Sequence, residues 1–394
     1  MALVAEAPVR QPAYTGILPF QAIRDMVRDG EISATEILAR IEPDQIQPAS
    51  IDLRLGHYAY PVDTSFLPGH GVRVLEKMRQ LDGDFERFRI DLDHGAVLEK
   101  GRVYVVPLLE AIKLRSEVAA FANPKSSTGR LDILTRLIAD EATHFDQVED
   151  GYEGQLYIEI APRSFSIVVR TGTRLNQLRF RRTRGLEPKP IAAADWRQLL
   201  DEGRVVSTRD DAERARLSER PGWLPFTVDL TAAGEDDTLI GWRAKKNTKR
   251  IDLDRRDYDP LDFWEPMRFH REPSLTLVPD EFYILMTKES IAVPPSYAAE
   301  MVPYDTRAGE FRVHYAGFFD PGFGWSEDTR RAGSSRGVLE VRSHEVPFLL
   351  EHGQTVGWLH YERMAEPPEA LYGRDATSNY QGQSLRLSKQ FRQP

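Results

Sequence analysis

Apolar residues along this chain come mostly in short runs, not in long helical stripes. Two stretches depart from that rule. Over Phe20–Ile32 the apolar positions recur at the spacing of one helix face, and Gly30 closes the pattern. Ile191–Val206 repeats this design and closes on Gly203. Elsewhere the runs are β-branched or aromatic and are bounded by Gly, Pro and Asp, which predicts strands joined by turns. Examples are Arg102–Pro107, Gln155–Ile160 and Thr171–Phe180. The pattern is that of an all-β barrel or sandwich with a few short helices.

The same layout occurs twice. After each helix comes Pro-x-(Ser/Thr)-(Ile/Val)-Asp-Leu, at Pro48–Leu53 and at Pro225–Leu230. Arg102–Pro107 then matches Glu281–Met286, Gln155–Ile160 matches Gly337–Val341, and Thr171–Phe180 matches His352–Tyr361. No single match is strong, but all keep one order, as an internal duplication would. The predicted organisation is an N-terminal extension over 1–15, copy one over 16–185, copy two over 190–365, and a tail over 366–394. The breaker-rich stretch Arg182–Pro190 marks the boundary, and Arg209–Arg220 reads as an exposed charged helix or loop. From Glu366 onward the chain has few core formers.

Composition narrows the function. A length of 394 residues suits two domains. A formal net charge of −9 argues against a nucleic-acid partner held by phosphate neutralisation. It leaves room for a small anion in a locally basic pocket. There is no cysteine, so disulfides and Cys-ligated metals are excluded. No apolar run has membrane-spanning length and the first residues do not read as a signal peptide, so the expectation is a cytoplasmic protein with no membrane partner.

Three segments carry candidate chemistry. Lys125-Ser126-Ser127-Thr128-Gly129-Arg130 packs hydroxyls, a glycine turn and a guanidinium into one short stretch, a kit for holding phosphate. On its own it reads more readily as a helix cap leading to a surface arginine. Ala316-Gly317-Phe318-Phe319-Asp320-Pro321-Gly322-Phe323 reads as a β-turn with glycine at its special position. Glu159 and Glu340 sit on equivalent strands of the two copies. The histidines at 270, 314 and 360 alternate with apolar residues and lack paired-ligand spacing, so they read as barrel residues and no metal site is expected.

Together with Gln47–Gly56 and the terminal Tyr380-Gln381-Gly382-Gln383, these motifs resemble the dCTP deaminases of the dUTPase-like superfamily, here as two fused copies. The resemblance implies a mainly β fold of two tandem distorted β-barrels. It also implies hydrolysis of dCTP to dUTP and ammonia, with Mg2+ carried by the nucleotide triphosphate and no zinc. Zinc deaminases need a His or Cys plus a Cys-x-x-Cys pair, which this chain cannot supply. In the family, the Ser-Ser-x-x-Arg motif and the hairpin with its glutamate come from neighbouring barrels. By that correspondence Lys125, Ser126, Ser127 and Arg130 hold the phosphates. Asp320, Gly322 and Phe323 embrace the sugar and base, with Asp320 accepting from the 3′-hydroxyl. Glu340 or Glu159 is the general base, Ser126 and Arg130 count with them as catalytic residues, and Tyr372, Tyr380 and Gln383 belong to a tail that folds over the triphosphate. A homo-oligomer, in the family a trimer of barrels, is expected.

Departures from the family pattern matter. Asn379 stands where members often have Lys. Copy two reads Tyr304–Gly309 where Ser-Ser-x-x-Arg would fall, and copy one has only Glu149–Tyr152 at its hairpin. Copy one keeps the phosphate motif and copy two keeps the sugar hairpin. The favoured expectation is therefore a composite site using Ser126, Ser127, Arg130, Asp320 and Glu340. The other is a site between copies one that uses Glu159. Two further readings stay open: a bifunctional enzyme releasing dUMP, and a non-catalytic nucleotide-binding barrel.

Overall fold

The computed structural model describes residues 15–36, 39–183, 190–207, 216–231, 238–268, 273–303, 311–313, 317–333, 335–343, 345–375, 382 and 385–392. Strands take 43% and helices 13%, so the fold is mainly β, as the short apolar runs predict. The two predicted helices form at Phe20–Arg28 and Ala193–Asp201, and Gly30 and Gly203 follow them with positive φ of 77° and 64°. Among the described residues no helix is long and apolar enough to cross a membrane. Tyr304–Gly309, the segment 184–189 and most of the charged stretch after Thr208 lie outside the described residues.

One strand order occurs in both halves. In the N-terminal half, Tyr58–Val62, Val103–Lys113, Glu153–Pro162 and Ile133–Ala139 lie side by side in that order. The C-terminal half repeats it with Leu239–Ala244, Phe282–Ser290, Arg336–Ser343 and Phe311–Val313. A second sheet runs Ile51–Arg54, Arg174–Arg182, Val118–Pro124, Gln147–Val148 in the first half. Its counterpart runs Trp223–Thr227, Thr355–Arg363, Tyr297–Pro303, Phe318–Phe319. All these pairings are antiparallel, and the central strands Glu153–Pro162 and Arg336–Ser343 are buried on both faces over most of their length.

The halves are fused by more than chain connectivity. Ile167–Val169 of the first half pairs in parallel with Ile251–Asp252 of the second. Arg170 grips Asp252 with two bonds of 2.7 and 2.8 Å. Buried Arg342 pairs with buried Asp132, whose other partner is the Ser164 hydroxyl at 2.6 Å. A continuous apolar cluster takes in Phe165 and Ile167 with Trp264, Phe263 and Phe391. Edge-to-face contacts such as Phe165 on Trp264 at 5.4 Å add to simple burial.

The tail, expected to hold few core formers, contributes buried side chains to this seam and its surroundings. Leu371, Leu387 and Phe391 are buried, and Phe391 packs edge-on against Phe263 at 5.5 Å and Trp264 at 6.0 Å. The Ser388 hydroxyl donates to the Ser127 carbonyl at 2.7 Å, and Gln390 donates to the Leu253 carbonyl at 3.1 Å. Residues 385–392 thus form a strap across both halves. Truncating Phe391 to alanine should cost about 3–5 kcal/mol of stability, the usual loss for a large buried aromatic side chain. Denaturant titration reads this, and a loss below ~1 kcal/mol would mean that the strap adds little to the seam.

Candidate active site

A cavity of about 420 Å³ opens between the halves. Its first wall grows out of strand Val118–Pro124. Pro124 ends the strand, and Ser126–Gly129 make one helical turn. The Thr128 hydroxyl pins that turn to the Leu175 carbonyl at 2.8 Å. Lys125, Ser126, Ser127 and Arg130 all line the cavity.

The second wall comes from the C-terminal half. Phe318–Phe319 pairs with Tyr297–Pro303 and delivers Asp320 at its end. Gly322 has φ +98°, and a Cβ there would fall 2.8 Å from the Tyr372 carbonyl oxygen, so only glycine lets the two segments meet. The Tyr372 amide donates to the Pro321 carbonyl at 2.8 Å, and its ring packs 5.7 Å from Phe323. Tyr372, Phe323 and Asp320 face the cavity, and Gly322 shapes the turn behind them. Tyr380 and Gln383 lie outside the described residues.

Glu340 stands in the middle of strand Arg336–Ser343, opposite Ile284, and is 5% exposed. Burial pushes its carboxyl up to about 8, with the Arg130 charge pulling the other way. Arg130, 3% exposed, brings Nε to 4.0 Å from Oε1 of Glu340 and donates through Nη1 to the Arg386 carbonyl at 3.1 Å. The guanidinium therefore stands at the carboxyl end of the cavity, where sequence reasoning expected it among the phosphates. Glu159 does not line the cavity. It is 1% exposed and takes two bonds from Arg136 of the adjacent strand, at 2.9 and 2.5 Å. That ion pair keeps Glu159 engaged within the first half, away from the cavity.

At the other end the cavity is cationic. Lys125, Arg174, Arg256 and Lys389 line it, with Asp44 and Asp52 among them. Lys125 pairs with Asp52, and Arg174 with Asp44 at 2.9 Å and Glu42 at 2.6 Å. Burial, then the charges of Lys125 and Arg256, push the Lys389 ammonium down. Like charges so crowded invite an anion with several oxygens. Lys389 comes from the strap and Arg256 from the loop after Ile251–Asp252. Asp52, Arg174, Gln177 and Arg256 were missed in the sequence. Only Asp52 had a signal, the repeated Pro-x-(Ser/Thr)-(Ile/Val)-Asp-Leu. Its counterpart Asp229 is spent on Arg336 at 2.6 Å.

A site with a cationic end, an aromatic hairpin and a buried carboxyl beside a guanidinium is that of a protein handling a phosphorylated heterocycle. Comparison with known proteins narrows the class. The family model for the 2′-deoxycytidine 5′-triphosphate deaminase N-terminal domain matches residues 14–184, and the model for its C-terminal domain matches 193–391. The crystal structure of 2′-deoxycytidine 5′-triphosphate deaminase from Agrobacterium tumefaciens is 47% identical and superposes with a TM-score of 0.80, covering 91% of this chain and 100% of that one. A dCTP deaminase, dUMP-forming, from Methanoculleus marisnigri is 29% identical over 197 residues, 49% of this chain and 95% of the relative. A dCTP deaminase from Halorubrum lacusprofundi is 24% identical over 224 residues, 56% of this chain and 100% of the relative. The chain belongs to the 2′-deoxycytidine 5′-triphosphate deaminase family and is an enzyme.

Glu340 also bears on stability. Its folded pKa, about 8, lies above the ordinary value of 4.5, so the folded state holds its proton longer than the unfolded chain does. Stability is then lost as pH rises from the unfolded value through the folded one. Glu340→Gln should therefore gain stability over the natural protein on going from pH 5 to pH 9, with no gain below the unfolded pKa. Thermal melts across that range read the difference, and a pH-independent difference would contradict a buried, titrating Glu340.

Proposed function

We propose that this protein hydrolyses dCTP to dUTP and ammonia, with Glu340 as the proton carrier. The supporting observation is the buried carboxyl of Glu340 facing Arg130 across the seam of the two halves. Mg2+ enters as part of the substrate, on the triphosphate. That group lies at the cationic end, held by Lys125, Arg174, Arg256, Lys389 and the hydroxyls of Ser126 and Ser127. Asp320 accepts from the 3′-hydroxyl, and Phe323 with Tyr372 covers the sugar and base.

The chemistry follows from the base's position. The Glu340 carboxylate takes a proton from water as the oxygen bonds to C4, and that proton passes to N3. The new hydroxyl then gives its proton, again through Glu340, to the amino group. The C4–N bond breaks, ammonia leaves and the C4 carbonyl forms. Both protons of the water are thereby placed, one on N3 and one on ammonia. A carboxyl with pKa near the working pH is suited to accept and return a proton in one turnover. Arg130 keeps part of the charge on Glu340 despite burial and faces the oxygen that develops on C4. No step draws on zinc-bound hydroxide, since the chain has no cysteine for the ligand set such enzymes use.

Some relatives carry "dUMP-forming" in their names, so the assay should follow two products. Incubation with MgdCTP should release ammonia without matching pyrophosphate. Glu340→Gln should lower kcat by about 10³-fold or more while dCTP still binds, and Glu159→Gln should retain turnover. In the natural protein kcat/KM should fall as pH drops below about 8, because the base is then protonated. An active Glu340→Gln with a dead Glu159→Gln would overturn the assignment. Equal ammonia and pyrophosphate would make the enzyme bifunctional.

A further inference from the structure

Arg179 lies on strand Arg174–Arg182 of the N-terminal half and is 1% exposed. It does not line the cavity. Its guanidinium crosses the seam instead. Nη2 donates to Asp320 Oδ1 at 3.0 Å and to the Phe319 carbonyl at 3.4 Å, and Nη1 donates to the Ala299 carbonyl at 2.9 Å. Nε donates to the Ala49 carbonyl of its own half at 3.3 Å. The guanidinium also stacks 4.0 Å from the centre of the Phe318 ring. Three of these four acceptors belong to the hairpin that ends in Asp320 or to the strand that hairpin pairs with.

We propose that Arg179 is a positioning residue for sugar recognition: from the opposite half it holds one oxygen of Asp320 and the peptide before it, and aims the carboxylate at the 3′-hydroxyl. The inference rests on the functional reading above for Asp320. Its physical content is geometric. One oxygen of Asp320 is fixed by the guanidinium, and the second is left to the cavity that Asp320 lines. A planar fork satisfies a carboxylate and two carbonyls in one plane, which a lysine ammonium on a flexible stem does not. Phe318, not a charged residue, stands two positions before Asp320. The charge reaches Asp320 from another strand and stacks on that same Phe318. Selection of the sugar is then a property of both halves, as proton transfer is.

The test compares dCTP with 2′,3′-dideoxycytidine triphosphate, which lacks the hydroxyl that Asp320 would accept from. Dissociation constants come from calorimetry, so the result does not depend on turnover. Turnover of dCTP by the natural protein, recorded in parallel, tests the deaminase reading separately. The natural protein should prefer dCTP by roughly 10-fold or more, the scale for a hydrogen bond to a charged group. Arg179→Lys and Arg179→Met should both reduce that preference toward the level of Asp320→Ala. The lysine variant keeps the charge and serves if the methionine variant does not fold. Variants that weaken both nucleotides by the same factor, with the preference intact, would make Arg179 merely structural and overturn the proposal. A natural protein that binds both equally would overturn it too.

Discussion

Glu340 is a carboxyl taken out of water by a strand of one half and faced by a guanidinium from the other. Everything else in the site depends on keeping those two groups together. Arg130 reaches 4.0 Å from Glu340 only because the halves meet in one register. That register is fixed by the parallel pairing of Ile167–Val169 with Ile251–Asp252, by the Arg342–Asp132 pair and by the aromatic cluster around Trp264. The cost of burying Glu340 is the same quantity that raises its pKa, so stability and titration are linked through a single desolvated group.

Repetition explains how one half can supply the Lys125–Arg130 turn and the other the hairpin. Both halves have the same strand order, so each has the position where a glutamate faces the barrel wall. In the first half Glu159 is neutralised by Arg136 from the neighbouring strand. In the second half Glu340 faces Arg130 across the seam. The strap of residues 385–392 adds a further constraint, since it ties the Ser127 carbonyl and the Arg130 side chain to the C-terminal half. In this account it is a fixed wall that presents Lys389.

Much of this was legible in the chain. The helices closing at Gly30 and Gly203, the mainly β content and the matched order of strand-like runs all follow from local pattern. The Lys125–Arg130 turn and the Asp320 turn were visible because each is contiguous. Which of Glu159 and Glu340 lines the cavity was not, since Tyr157-Ile158-Glu159-Ile160 and Val338-Leu339-Glu340-Val341 look alike locally. The difference lies in Arg136, which meets Glu159 only through strand pairing. Arg179 and Arg256 were invisible for the same reason, because each acts on a residue far away in sequence. Phe391 was missed since one buried aromatic in a polar tail leaves no periodic signal.

In the proposed function, one chain builds the whole site from both of its halves. Co-expression of two differently tagged chains, one carrying Arg130→Ala and the other Glu340→Gln, tests it most directly. If Arg130 and Glu340 serve the same site within one chain, every site in the mixture carries one lesion, and the mixed preparation should be as inactive as either variant alone. If a site instead joins Arg130 of one chain to Glu340 of another, mixed assemblies contain some intact sites. Recovery of a sizeable fraction of natural ammonia release in the doubly purified mixture would contradict the account.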